Sequence, residues 1–302
     1  MKKFDVVILT DNRYAGSVNR DWYSLQVMLE DELINNALKE QGLRSTVLSW
    51  QDPEFDWSNT HSVLFSSTWD YFDKFEQFEV WFNEVQDQCI CINPAKTIRW
   101  NMDKHYLLDL KENGIRTVHS EILKRGKTYN FAQELESRGI SEGIIKPTVS
   151  GAARHTYRVN SNISSNLCDT LNKLLEKEDF IIQPFQKNIV EQGELSLMVM
   201  GGKFTHAVRK VAAQGDFRVQ DDHGGRVIPY FPSNKEVNFA ESAVRACDPQ
   251  PLYARVDIVV DNDGHLAIME LELIEPELFL RFCAPAAKQL AVAVNHYLTT
   301  QS

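Results

Sequence analysis

The sequence lacks a long apolar segment. No stretch of its 302 residues approaches the ~18 consecutive apolar residues of a membrane-spanning helix. The apolar run within FDVVILT (residues 4–10) is followed at once by the polar Asp11, so it is too short for the apolar region of a signal peptide. We therefore expect a protein without a membrane partner.

Cysteine is also scarce. The five cysteines are odd in number and scattered, which does not suggest a disulfide framework. Cys89 and Cys91 point to the same face of an apparent strand, which is poor geometry for a disulfide and at most half of a metal site. Since reduced thiols are typical of the cytoplasm, we predict a cytoplasmic protein.

Positive charge is limited. The chain has 32 Lys and Arg against 42 Asp and Glu, a net charge of -10. Binding to a nucleic-acid backbone depends on clustered Lys and Arg, so the composition argues against a nucleic-acid partner. A small anionic ligand remains possible, because local basic groups can override the overall sign.

Two widespread functional signatures are missing. The sequence has no GxxxxGK[ST] motif, so a P-loop fold is unsupported, and no Ser-His-Asp or Cys-His signature indicates a covalent nucleophile. What is present is ordinary for a soluble globular protein, with 43% hydrophobic and 25% charged residues. The length is sufficient for two or three compact lobes.

Strand and helix patterns alternate through residues 1–95. Predicted strands cover residues 4–10, 45–50, 62–67 and 89–92, and predicted helices cover residues 24–41 and 75–85. Such alternation predicts a parallel α/β sheet, whose ligands gather at the carboxyl ends of its strands. Arg13 and Trp69 lie in polar loops at two of these ends, where the loops form either simple turns or substrate contacts.

Asn93-Pro94 interrupts the alternation and marks the start of further lobes. We place a second lobe at residues 96–180 and a third at residues 181–302. The third is rich in hairpins, since two predicted strands are joined by Gly201-Gly202, a favoured turn composition. We predict an α/β fold in which one parallel domain precedes two α+β lobes.

A hairpin near the C-terminus carries three carboxylates. YARVDIVV (253–260) and HLAIMELELIEP (265–276) flank a turn of Asn262-Asp263-Gly264. Period-2 alternation allows Asp257, Glu270 and Glu272 to share one sheet face. Three close carboxylates repel one another unless a cation lies between them, and ligation by oxygen alone suits Mg²⁺ or Mn²⁺. The alternative is a solvated acidic face.

Two polar loops carry basic groups. Lys146 ends a strand before a loop of small residues at 150–153, a combination that suits phosphate binding, although such loops are often simple turns. Arg154 and His155 either add charge there or are solvated. The second loop is GDFRVQDDHGG (215–225), in which Arg218 is either a surface residue or a functional one. Arg209 and Lys210 lie on the strand before this loop. Since strand neighbours point to opposite faces, at least one of them must face inward or be neutralised.

Taken in chain order, these segments resemble the ATP-grasp superfamily. The resemblance runs roughly from residue 93 to residue 276 and is closest to the glutathione-synthetase-like branch. SSTWDYF (66–72) with ELELIEP (270–276) is also similar to ATP-grasp proteins such as the cyclo-ligase of the cycloserine pathway. The matching series consists of Lys104 in NPAKTIRWNMDK, Lys146 in IIKP, SGAAR, QPF (183–185), GELSLMV (193–199), GDFR, Asp257 and Glu270.

The resemblance implies an ATP-grasp fold with roles for individual residues. Lys104 and Lys146 would hold the ATP phosphates, and the loop containing Ser150, Gly151, Ala152 and Arg154 would close over them. Gln183, Pro184 and Phe185 would line the adenine hinge, and Glu194, or alternatively Glu191, would accept the ribose hydroxyls.

It also implies a metal site and a catalytic pair. Asp257, Glu270 and Glu272 would bind two magnesium ions, and Arg209 and Arg218 would stabilise charge on the transferred phosphoryl group. Many relatives carry Asn where Glu272 stands, so the number of metal ions is open.

The implied function is an ATP-dependent ligase. It would activate a small carboxylic acid as an acyl phosphate and couple it to an amine or similar nucleophile, which needs mainly positioning and cationic stabilisation. The alternatives are an ATP-grasp kinase and a non-catalytic nucleotide-binding protein. We expect small-molecule substrates recognised near Arg13, Trp69, Arg255 and Glu275, and, from the resemblance, a homodimer.

Overall fold

The N-terminal part of the computed structural model is a parallel sheet. The structure describes residues 2–16, 21–216, 218–219 and 224–301. The four strands of the sheet lie in the order β2-β1-β3-β4, all parallel, which confirms the predicted α/β sheet. The elements are β1 (Phe4–Thr10), α1 (Trp22–Glu40), β2 (Ser45–Ser49), β3 (Thr60–Ser67), α2 (Phe75–Gln88) and β4 (Ile90–Ile92).

A second sheet follows, in which every pairing is antiparallel. Its strands lie in the order β5-β8-β6-β7. Because β8 pairs with both β5 and β6, this sheet extends past the predicted boundary at residue 180. The elements are α3 (Ala95–Asn101), α4 (Tyr106–Glu112), β5 (Glu121–Leu123), α5 (Phe131–Ser137), β6 (Glu142–Pro147), β7 (Tyr157–Asn160), α6 (Ser165–Leu175) and β8 (Phe180–Pro184).

The third sheet has five antiparallel strands in the order β11-β10-β9-β12-β13. The helix that ends the chain, α9, leaves this sheet and packs on α1 of the N-terminal domain. The elements are α7 (Asn188–Gln192), β9 (Glu194–Met200), β10 (Lys203–Val211), β11 (Arg226–Tyr230), α8 (Asn234–Arg245), β12 (Tyr253–Val260), β13 (Leu266–Glu272) and α9 (Pro285–Gln301). None of the helices in the described ranges has the length and apolarity that crossing a membrane requires.

Two consecutive buried carboxylates of α1 make hydrogen bonds, Asp31 within the N-terminal domain and Glu30 to the C-terminal part of the chain. Asp31 accepts hydrogen bonds from the Ser66 and Ser67 hydroxyls at the end of β3. Glu30 accepts from the backbone N–H of Leu278 at 2.7 Å and of Leu280 at 3.1 Å. Between these two residues Phe279 has φ 50, a left-handed conformation that L residues rarely adopt. Glu30 therefore fixes the strained turn that follows β13.

We expect Glu30→Gln to flatten the pH dependence of stability. Burial, together with the charge of Glu277, raises the pKa of Glu30 from 4.5 to about 8. Because the folded-state pKa is raised, Glu30 stabilises the folded protein fully below about pH 4.5. This stabilisation is lost as the pH rises through about 8, a loss on the order of 4 kcal/mol. The variant cannot ionise. Free energies of unfolding from urea titrations at pH 6 and 8.5 should differ less in the variant than in the wild type; equal differences would contradict the assignment.

Candidate active site

A cavity of about 440 Å³ lies where the three sheets meet. Its wall includes β6 and β8 of the second sheet, β9, β10, β12 and β13 of the third sheet, and loops that follow β1 and β3. The strand-end loops of the N-terminal sheet therefore face the same space as the two antiparallel sheets, as expected for ligand sites at carboxyl strand ends.

One end of the cavity is formed by β8 and the segment after it. Gln183, Pro184 and Phe185 all line the cavity. Gln183 donates to the Ser120 hydroxyl at 2.8 Å, which fixes its side chain. Backbone groups of Phe185 are engaged inside the protein, since its N–H donates to the Glu142 carbonyl and its carbonyl accepts from the Asn262 amide. The apolar neighbours Val118, Ile144 and Met269 give this end the character of a pocket for a flat ring.

Lys146 lies in this region without a partner. Its side chain lines the cavity, and it makes no ion pair with any residue in the described ranges. Burial lowers the pKa of Lys146, although the nearby Glu270 carboxylate partly offsets this. A half-buried ammonium without an ion-pair partner in the described ranges favours an anionic ligand, and phosphate binding by Lys146 stays a prediction.

The loop after β6 has the backbone of an anion-binding turn. Ala152, Ala153 and His155 all have positive φ, between 47 and 55, and such turns direct successive N–H groups to one side. The Lys104 ammonium donates to the carbonyl of Ser150, which ties the loop to α3 and α4. Arg154 is bound by both oxygens of Glu178, at 2.9 and 3.0 Å, so its guanidinium positions the loop.

We expect Gly151→Ala to displace this loop. A Cβ at Gly151 would lie 2.4 Å from a ring carbon of Phe72, and Phe72 is buried, so neither side can yield easily. Overpacking of this kind costs about 1–3 kcal/mol. The variant should have a lower free energy of unfolding and a higher KM for ATP. A second substitution, Phe72→Leu, should restore both; no rescue would mean that the ring contact is not the cause.

A network of buried charges occupies the middle of the cavity. Asp257 accepts from Ser196 at 2.6 Å, Lys210 at 2.9 Å and Arg255 at 2.9 Å. Lys210 also contacts Glu194 at 2.5 Å. Burial alone would raise the pKa of Asp257, but Arg255 and Lys210 hold it below the usual range. Asp257 is therefore ionised and joins two cations, Arg255 on its own strand β12 and Lys210 on β10, which lies beyond β9 in the sheet.

The other two predicted metal ligands also meet cations. In the β12–β13 ladder Asp257 lies opposite Glu270, and Arg255 lies opposite Glu272, so the three carboxylates share one sheet face as the alternation predicts. Lys104 contacts Glu270 at 3.0 Å, and Arg255 contacts Glu272. Among the residues that the structure describes, no group of three or more His, Cys, Asp or Glu is arranged to hold a metal ion. The metal site stays a prediction.

Two predicted site residues lie outside the cavity. Arg209 belongs to the face of β10 opposite the cavity, where its guanidinium lies 4.5 Å from the centre of the Tyr230 ring. Glu191 lies on the exposed side of α7. Glu194 lines the cavity and is the better candidate of the two glutamates.

Lys210, the neighbour of the predicted catalytic residue Arg209, lines the cavity. Alternation along a strand shows that these neighbours face opposite ways, but it does not tell which of them faces inward. Lys210 is distinguished from Arg209 by its ion-pair partners, Glu194 and Asp257, which only the folded sheet brings next to it.

Arg218 lines the cavity and binds Asp216, with 2.7 Å between Nη2 and Oδ2. Other parts of the predicted GDFRVQDDHGG loop, Phe217 and residues 220–223, lie outside the described residues.

The fold matches those of solved structures of ATP-grasp ligases. One solved structure with this arrangement is described as that of the ATP-grasp ligase PsnB complexed with minimal precursor. It matches with a TM-score of 0.62 and 15% identity over 97% of this chain and 99% of that chain. The predicted ATP-grasp fold is thereby confirmed.

Three comparisons point to DcsG proteins. The chain is 26% identical over 298 residues to the cycloserine biosynthesis protein DcsG of Streptomyces lavendulae, covering 92% of this chain and 97% of that protein. A crystal structure of D-cycloserine synthetase DcsG matches with a TM-score of 0.84 and 24% identity, over 97% of this chain and 99% of that chain. The domain family described as D-cycloserine synthetase DcsG, N-terminal domain, matches residues 6–93. The similarity to the cycloserine-pathway protein, predicted from SSTWDYF and ELELIEP, is confirmed.

Proposed function

We propose that this protein is an ATP-dependent ligase that activates a small carboxylic acid and joins it to an amine or similar nucleophile. The observation that carries the proposal is the cavity itself, which combines a flat apolar end, a lysine without an ion-pair partner in the described ranges and a loop with three residues at positive φ. The relatives described as ligase and synthetase support the same reaction class.

The reaction would proceed through an acyl phosphate. Lys146 and the loop at 150–155 would hold the nucleotide phosphates, and Gln183 to Phe185 would line the adenine. A substrate carboxylate in the middle of the cavity would attack the terminal phosphoryl group, and Lys104, Lys210 and Arg218 would balance the charge that develops. The nucleophile would then displace phosphate, giving the new acyl bond.

Magnesium fits the chemistry of the donors on β12 and β13. Asp257, Glu270 and Glu272 offer only oxygen atoms, which Mg²⁺ prefers, and the first two have lowered pKa values. When bound, the ion would neutralise charge on the phosphates. These three residues would hold it, with Lys104, Lys210 and Arg255 giving up part of their present contacts.

Hydroxamate trapping tests the proposal. The enzyme with ATP, Mg²⁺ and each acid of a panel should release ADP, and hydroxylamine should capture the activated acyl group. ADP release without hydroxamate, together with a stable phosphorylated product, would favour the kinase alternative. Nucleotide binding without ADP release from any acid would favour the non-catalytic one. Small-molecule substrates, a cytoplasmic location and a homodimer belong to the same proposal.

A further inference from the structure

The outer edge of β13 is covered by other parts of the chain. This strand is the last one of the five-stranded sheet, so its outward backbone groups need partners from elsewhere. At Ile268 the partners are backbone groups: its N–H donates to the Arg116 carbonyl at 2.9 Å, and its carbonyl accepts from the Val118 N–H at 3.0 Å. At Leu271 and Leu273 the partners are side chains.

These side chains are Asn101 and Tyr106, both buried. The Asn101 amide donates to the Leu271 carbonyl at 2.8 Å, and its oxygen accepts from the Leu273 N–H at 3.0 Å. The Tyr106 hydroxyl accepts from the Leu271 N–H at 3.0 Å. Side chains from one segment of the chain therefore hold both backbone groups of Leu271, the residue that follows Glu270.

Asn101 and Tyr106 lie at the two ends of a short connection, residues 102–105, which we call the α3–α4 link. Helix α3 ends at Asn101 and α4 begins at Tyr106, and each has seven residues. Isolated helices shorter than ~12 residues are marginal in water. The position of the link is therefore set by its contacts with the rest of the protein and not by the helices alone.

The α3–α4 link carries Lys104 and connects two sheets. The Lys104 N–H donates to the carbonyl of Thr148, which follows β6 of the second sheet, at 2.9 Å. The Lys104 ammonium lies 3.0 Å from Glu270 of the third sheet. Because the hydrogen bonds at both ends of the link meet on Leu271, they fix the link, and with it Lys104, beside Glu270.

We propose that Asn101 and Tyr106 are positioning residues for the ligation reaction. By holding Leu271 from both ends of the α3–α4 link, they set the distance between Lys104 and Glu270. They thereby place the Lys104 ammonium where charge develops on the transferred phosphoryl group. A misplacement of about 1 Å can lower a rate by about 10²-fold. This inference rests on the proposed ligase function and adds two residues to its mechanism.

A double-mutant cycle tests the proposal. Asn101→Ala and Tyr106→Phe are made in the wild type and together with Lys104→Met. The measurement is kcat/KM for ADP release, with the acid of the panel that reacts fastest and at a temperature where all variants are folded. Each substitution should lower kcat/KM at least about tenfold in the wild type but less than about twofold after Lys104→Met, because the misplaced group is then absent.

The matched control is Asn93→Ala. Asn93 is buried, and its amide bonds four backbone groups where β12 begins and β13 ends, namely the carbonyls of Tyr253 and Leu273 and the N–H groups of Leu252 and Tyr253. It lies before α3, outside the α3–α4 link. This variant should lose at least as much free energy of unfolding as Asn101→Ala, but its effect on kcat/KM should be the same with and without Lys104→Met.

Two precautions keep the test decisive. Tyr106→Phe removes a single oxygen atom and carries the test if Asn101→Ala does not fold. If Lys104→Met leaves too little activity, the same cycle is measured on the Kd for a non-hydrolysable ATP analogue with Mg²⁺. The losses in affinity should then follow the same pattern, large with Lys104 present and small without it.

Two results would overturn the positioning role. One is an equal loss for Asn101→Ala and Tyr106→Phe with and without Lys104, which would make both residues merely structural. The other is a dependence of Asn93→Ala on Lys104 as large as theirs, which would point to general loosening of the hairpin. A wild type that releases no ADP with any acid of the panel would instead contradict the proposed ligase function, and the cycle on the analogue Kd would still decide the role of the two residues.

Discussion

Glu270→Gln should lower turnover by two or more orders of magnitude, about 3 kcal/mol or more of lost transition-state stabilisation. Gln has the same shape as Glu but lacks the charge that a hard cation requires. The fold should survive, because the Glu270 side chain is 25% exposed and an amide oxygen can still accept from Lys104. The measurement is kcat/KM for ADP release at saturating and at limiting Mg²⁺.

The control for this experiment is Glu79→Gln, which makes the same change at an exposed position on α2. It should leave the kinetics unchanged. Wild-type ADP release by Glu270→Gln at limiting Mg²⁺ would remove this carboxylate from the metal site. An equal loss at all Mg²⁺ concentrations would point to its contact with Lys104 instead.

Asp257→Asn should destabilise the protein by about 3–5 kcal/mol. The substitution removes the carboxylate that neutralises Lys210 and Arg255, whose side chains are only 4% and 10% exposed. Lys210 then keeps only Glu194 as a partner and Arg255 keeps only Glu272, and buried cations that lose a partner are costly because water cannot replace it. The free energy of unfolding in urea at pH 7 measures the effect.

A surface pair provides the comparison. Asp5 and Arg44 are in contact at 2.8 Å with side chains 28% and 50% exposed, so Asp5→Asn should cost only about 0–1 kcal/mol. Adding Lys210→Met to Asp257→Asn should recover part of the lost stability, because Lys210, one of the two buried cations that lost Asp257 as a partner, is then absent. Equal costs for the two single substitutions would show that the buried network is not a major source of stability.

Local patterns were sufficient for the N-terminal sheet and for the β12–β13 hairpin. Alternating elements predict a parallel sheet, and the turn at 262–264 with period-2 alternation places Asp257 and Glu270 on one face. The observed register pairs these two residues directly. Both features depend on residues that are close in the sequence, which is why a pattern can reveal them.

Contacts between distant segments were not predictable in the same way. Lys104 reaches Glu270 across 166 positions of sequence, and the Trp69 indole reaches the Glu275 carbonyl across 206. The pairings of Glu270 with Lys104 and of Asp257 with Lys210 depend on such contacts, whereas Arg255 meets its carboxylates within the β12–β13 hairpin. The inward position of Lys210 was missed because alternation fixes only the relative orientation of neighbours.

The packing of α9 on α1 has a consequence for how the chain folds during synthesis. The face of α1 that carries Ile34 and Leu38 is buried against Leu290 and Val294, residues that are made after all three sheets. Until they leave the ribosome, the first domain would have an exposed apolar helix face, the kind of surface that promotes aggregation and recruits chaperones. Although its sheet is complete by residue 92, the N-terminal domain would reach its final stability only after α9 has emerged.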